Sequence, residues 1–154
     1  MNESDRLAEL SLAIRDSTLR RLRSVPRGSE NWRPSPRSLS FADIAHHLLH
    51  ADAWLWQKIE SPALGKMAAR VQEAGVVTPA AFAGLIDQLE ASGRERATRL
   101  ARMSAVQLES LIPDDRFGGE VSIWWVVVRG NLDHEAHHRG QLATLLRILE
   151  GQPR

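Results

Sequence analysis

Apolar residues recur every three or four positions through four long stretches of the chain, the period of amphipathic helices, while the alternation expected of half-buried strands is nearly absent. The first stretch runs from about Glu3 to Ser24, with Leu7, Leu10, Ile14, Leu22 and Val25 as its expected buried stripe, and Pro26-Arg27-Gly28 stops it. A connection rich in proline, serine and arginine follows. Ser40, with Asp43 three residues on, predicts a capped second helix ending near Glu60, before Ser61-Pro62. Residues 61–77, with Pro62, Gly65 and Gly75, read as a long crossover. Thr78-Pro79 then predicts the cap and first turn of a third helix reaching Met103, and Ser104 with Gln107 predicts a short additional one. After a loop around Pro113, Gly118 and Gly119, Ser122 caps a final helix running to Glu150 and stopped by Gly151. At 1.5 Å per residue that helix would be about 42 Å long, enough to span a bundle. The pattern predicts an all-α fold, a four-helix bundle with a long crossover connection, as one domain over residues 1–154.

Composition narrows the function without naming it. The chain of 154 residues contains no cysteine, which excludes disulfides, thiolate metal sites and cysteine nucleophiles. Of its 20 basic residues 18 are arginine, yet 19 acids nearly cancel them and leave a net charge of +1. Such a balance provides no global field for nucleic acid. Arg20, Arg21, Arg23, Arg27, Arg33 and Arg37, and the run Arg94, Arg96, Arg99 and Arg102, are therefore read as solvated faces. No apolar run approaches the roughly 20 residues of a membrane span, and the first thirty residues lack the apolar core of a signal peptide. The expectation is a cytoplasmic protein with neither nucleic-acid nor membrane partners.

The chemistry concentrates in histidine. All six histidines fall within two predicted helices: His46, His47 and His50 in the second, His134, His137 and His138 in the last. Projected at about 100° per residue from Ile123, the stripe of Ile123, Val127, Leu145, Ile148 and Leu149 centres near about 50°. His134 falls at about 20° and His138 at about 60°, inside that stripe, with His137 on its edge. Residues four apart share a helix face, so these two imidazoles can converge on one ion. On the second helix His47 lies about 100° from the apolar centre, and His46 and His50 about 160° away on the polar side. His47 is thus the better third ligand, and His46 with His50 read as solvated. A pair of buried imidazoles without partners would be costly, on the order of 1–3 kcal/mol per unsatisfied group, which favours a metal over plain packing.

Three neutral nitrogen donors and no thiolate suit one divalent first-row ion, zinc or nickel above all, with open positions left for water or substrate. Asn131, Asp133, Gln141, Asp43 and Asp52 are the polar residues near enough in sequence to hold the ligands' free ring nitrogens. Metal affinity is expected to fall as pH drops through about 6.5, the ordinary imidazole pKa. Trp54, Trp56, Trp124 and Trp125 flank the proposed site. Gly130 and Gly140 interrupt the last helix, which close approach of helices around the metal would explain.

The segment NLDHEAHHRGQL, Asn131 to Leu142, resembles the C-terminal helix signature of the DinB/YfiT-like superfamily, and SLSFADIAHHLLHADAWLW resembles that family's second helix. The family's three ligand histidines correspond to His47, His134 and His138 here, the set the projections select. The resemblance implies a four-helix bundle holding one divalent metal, commonly a homodimer, with some members acting as S-transferases or isomerases on low-molecular-weight thiols such as bacillithiol, mycothiol or glutathione. Two functions then compete. One is a metal- and thiol-dependent S-transferase, or a hydrolase, acting on small electrophiles, with Arg139 a candidate for binding a cofactor's carboxylates. The other is a metal-binding stress-response module without turnover.

Overall fold

The structure, a computed structural model, describes residues 1–62 and 75–151. Helix α1 spans Glu3–Arg23, α2 Phe41–Glu60, α3 Pro79–Ala101 and the short α4 Ala105–Glu109. The caps are those the sequence indicates. Ser40 and Asp43 form a reciprocal capping box, as do Ser104 and Gln107, and Thr78 caps α3 ahead of Pro79. Asn2 with Asp5 adds a box at the start of α1. The crossover expected at 61–77 falls mostly on residues 63–74, outside the described residues.

Two expectations are corrected. The loop after α4 is an antiparallel hairpin, β1 Leu111–Asp114 paired with β2 Gly119–Ser122, closed by a 3-10 turn at Asp115–Phe117. Gly118 and Gly119 have φ of 86° and 131°, a region L side chains rarely enter, so glycine is required there. Four-residue strands, one carrying Pro113, are too short to show alternation. The final helix is also not uniform: α5, Ile123–Trp125, leads into a π-helical stretch at Val126–Leu132 before α6, Asp133–Glu150. Bonds to the fifth residue take more residues per turn, so the face of α6 is rotated from where continuity with Ile123 would put it. The stripe buried by the π segment and α6 is Asn131, Glu135, His138, Leu142 and Leu145, and Ile148 is 38% exposed.

The long helices form a bundle in which α1 and α2 each pack against both α3 and α6. Two apolar clusters reveal the direction of each helix. One gathers Leu7, Leu55, Leu100 and Val127; the other gathers Leu22, Leu48, Ile86 and Leu145. Helices α1 and α6 therefore run one way, and α2 and α3 the other. Neighbouring helices α2 and α3 are parallel, so the fold is not a simple up-and-down bundle.

Between the clusters lies a polar layer. Arg15 of α1 donates through Nε to Glu135 Oε1 at 2.7 Å and through Nη2 to Asp52 Oδ2 at 2.8 Å. Arg96 of α3 reaches Asp52 Oδ1 at 2.9 Å, Glu135 Oε2 at 2.8 Å and Asn131 Oδ1 at 2.9 Å through one nitrogen, and Ser11 Oγ through Nε at 2.7 Å. Two guanidinium and two carboxylate groups, all buried, cancel in charge and tie α1, α2, α3 and α6 together. Arg96 is thus the most deeply buried member of a run whose pattern suggested a solvated face. Buried charge is tolerable only when paired and fully hydrogen-bonded, which is the case here. Polar residues also displace part of the expected stripe of α1: Ser11, Arg15 and Thr18 are buried while Leu10 is 48% exposed.

Candidate metal centre

Helix α2 carries His47 and α6 carries His134 and His138, one turn apart, just beyond the polar layer. The three rings converge. His134 Nε2 lies 2.9 Å from His47 Nε2 and 3.0 Å from His138 Nε2. His47 and His138 are buried and His134 half-buried. His46 and His50 lie against one another with tilted rings, 4.2 Å between centroids, and take no part; His46, expected to be solvated, is half-buried with its Nδ1 buried, and His137 is exposed beside His138.

Protonation makes the convergence informative. Burial pushes all three histidines down to about 4, reinforced at His47 by His134 and at His134 by His138, while at His138 the bond to Gln141 opposes it. All three are neutral at pH 7. His138 Nδ1 donates to Gln141 Oε1 at 2.7 Å, and Gln141 Nε2 donates onward to His137 Nε2 at 3.2 Å. A neutral His138 with its proton on Nδ1 turns a bare lone pair from Nε2 towards His134. Only one of the two contacts made by His134 Nε2 can then be a hydrogen bond, because that atom carries either one proton or one lone pair. The other sets like against like at 3.0 Å or less. A shared cation resolves this, and nitrogens each about 2.0–2.1 Å from one zinc-sized ion stand no more than about 4.2 Å apart. The donor set fits: His47, His134 and His138 could hold a metal ion. His134 Nδ1 is buried without a hydrogen-bond partner among the described residues.

Of the residues expected to hold the free ring nitrogens, Gln141 bonds to His138. Asn131 and Asp52 belong to the polar layer, where Asn131 Nδ2 donates to Ala51 O at 3.3 Å and Ser92 donates to Asp52 at 2.6 Å. Asp43 caps α2 and pairs with Arg33, and Asp133 pairs with Arg129 at the surface. Arg139 is half-buried and outside the triad. The cation that bears on His134 is instead Arg116 of the 3-10 turn, held by Asp114 at 2.7 Å and lying 4.0 Å over the ring of Trp54. It was invisible in the sequence because the hairpin was. A Cβ on Gly130 would come within 3.2 Å of Arg116 Nη2, the end of a side chain on the 3-10 turn, and in ordinary contact with the Trp54 ring at 3.6 Å, so the tight neighbour there is not a helix. A Cβ on Gly140 would meet nothing within 4 Å, so close approach of helices explains neither glycine. Trp54 is buried, Trp56 and Trp124 pack partly against the core, and Trp125 is 39% exposed.

With the three imidazoles lowered to about 4, their protonation falls well below the ordinary imidazole value of about 6.5, so proton competition for these nitrogens belongs nearer pH 4.

Comparison with known proteins agrees with this architecture. The sequence model of the DinB superfamily matches residues 12–142. No functionally curated protein matches the chain significantly. The crystal structure of a DinB-like protein, YjoA from Bacillus subtilis, superposes with a TM-score of 0.69 at 18% identity, covering 96% of this chain and 93% of that one. No helix among the described residues is long and apolar enough to cross a membrane. A family match over most of the length and a bundle of the same fold lead to one conclusion: the chain belongs to the DinB superfamily.

Proposed function

We propose that His47, His134 and His138 bind one divalent ion, zinc or nickel, and that the protein uses it to act on small electrophiles with a low-molecular-weight thiol, as an S-transferase, or with water, as a hydrolase. The observation that carries this reading is the convergence of three neutral imidazole nitrogens, with His134 Nε2 at 2.9 and 3.0 Å from the other two and all three within 4.8 Å, and no carboxylate or thiolate in the group. A divalent ion so held supplies Lewis acidity that makes a bound thiol or water surrender its proton near neutral pH.

The chain's own groups are arranged for that task. Neutral imidazoles leave the ion's positive charge undiminished, whereas three carboxylates would cancel it. Gln141 fixes the His138 tautomer by accepting from Nδ1, which keeps Nε2 available as a donor to the ion. Arg116 places a positive charge near His134, where it favours a substrate or thiol bearing carboxylates. Its own geometry is fixed by Asp114 and by the Trp54 face. We further propose that the functional form is a homodimer.

The test is turnover by protein loaded with zinc or nickel, presented with 1-chloro-2,4-dinitrobenzene and a panel of thiols including glutathione, cysteine and bacillithiol, and separately with ester substrates. Activity that needs both metal and thiol, and is lost in His134→Ala, supports the transferase. Metal-dependent activity without thiol supports the hydrolase. Stoichiometric metal with neither activity would return the protein to the alternative, a metal-binding module without catalysis.

A further inference from the structure

A cleft of about 670 Å³ opens between the Pro34–Leu39 connection, the start of α2 and the C-terminal half of α6, within the size range of small-molecule sites. Gln141 and His137 line it. Gln141 holds the Nδ1 side of His138, and the three Nε2 atoms converge on the other side of that ring, so this space is separate from the one the triad encloses.

Three observations define its chemistry. Leu39, Ile44, Leu145 and Ile148 give it an apolar wall. Arg37, also in the lining, is exposed and has no hydrogen bond or ion pair among the described residues. Gly140 forms part of the lining in the middle of α6, where glycine disfavours the helix and nothing lies within 4 Å of the Cβ it lacks. Neither backbone conformation nor packing requires glycine there; what its hydrogen does is keep the cleft open.

We propose that this cleft is a second small-molecule site, taking an amphipathic carboxylate whose head pairs with Arg37 and whose apolar body lies along Leu39, Ile44, Leu145 and Ile148. A guanidinium and a carboxylate make two parallel charge-assisted hydrogen bonds, which sets the head-group preference, and the wall sets the preference for an aliphatic or aryl body. The site needs no metal.

The experiment is calorimetric titration of octanoate into metal-free protein. One saturable site is expected, with affinity reduced about tenfold or more in Arg37→Ala, the scale of a lost hydrogen bond to a charged group. Gly140→Leu, which fills the cleft while favouring the helix, should reduce it similarly, and His134→Ala should leave it unchanged. Thermal melts confirm that each variant folds. Absence of saturable binding overturns the proposal, as does unchanged affinity in either cleft variant. Loss of binding in His134→Ala would also overturn it by placing the carboxylate at the triad. Because the titration is done without metal, its failure leaves the reading of the histidine triad intact, and failure of that reading leaves this one intact.

Discussion

Replacing Gly93 by alanine tests whether the buried charge layer is as rigid as its hydrogen bonds imply. A Cβ at this position in α3 would stand 2.6 Å from Arg15 Cγ, 3.2 Å from Nη1 and 3.3 Å from Cβ. Arg15 cannot step aside cheaply, because its guanidinium is committed to Glu135, Asp52 and the Leu89 carbonyl at 2.6–3.0 Å. Overpacking a core by one methyl costs about 1–3 kcal/mol. Swinging Arg15 out instead would leave buried carboxylates short of a partner, at about 3–5 kcal/mol. Alanine's better helix propensity returns only about 1 kcal/mol. The expected net loss is about 1–2 kcal/mol, a fall in Tm of about 2–8 °C for a domain this size. Gly84→Ala in α3 and Gly140→Ala in α6 are the controls, since their Cβ atoms meet nothing within 4 Å. Each should gain up to about 1 kcal/mol and melt about 2–4 °C higher. Thermal melts followed by far-ultraviolet circular dichroism compare the three. A Gly93→Ala protein as stable as wild type would show that Arg15 is loosely held and refute the reasoning.

Other outcomes follow from the same geometry. In metal-free protein the triad histidines titrate near 4 when folded and near about 6.5 when unfolded, so the unfolded chain binds protons first as pH falls. Stability is therefore complete above about pH 6.5 and declines towards pH 4; urea midpoints measured in chelator from pH 8 to 4.5 should show it, and a profile level throughout would contradict it. Burial alone would raise Asp52 and Glu135, but Arg96 and Arg15 hold both carboxyls below the usual range, so their contribution is lost only at still lower pH. Gln141→Leu removes the acceptor of the His138 Nδ1 proton and should weaken metal binding about 10- to 100-fold with the melt of the metal-free protein little changed. Competition with a chromophoric chelator measures the affinity, and wild-type affinity would remove Gln141 from its role.

The parts of this molecule that were legible beforehand are those written in local chemistry. Caps at Ser40, Thr78, Ser104 and Ser122 mark helix starts because a serine or threonine oxygen satisfies a nearby backbone N–H, a short-range requirement. His134 and His138 were legible as a pair because four-residue spacing is a property of a single helix, whereas their meeting with His47 of α2 depends on contacts between helices. What escaped notice depends on contacts between helices. Arg15 and Arg96 occupy core-facing positions that hydrophobic periodicity discounts, and each is acceptable inside only because Asp52 and Glu135 arrive from other helices. Arg15 lies four residues after buried Ser11 and four before buried Leu19, so its position on the stripe was readable even though its residue type argued against burial. The four-residue strands of the hairpin and the seven-residue π-helical stretch fall below the length at which a period declares itself.

The account rests on three histidines sharing one ion, and the most direct measurement is the metal content of untagged protein by mass spectrometry, for wild type and single alanine variants of His138 and His50. One equivalent of zinc or nickel in wild type and in His50→Ala, absent from His138→Ala, is the result expected from three converging nitrogens and a His46–His50 pair outside the group. No bound metal even after reconstitution, or equal loss in both variants, would contradict it.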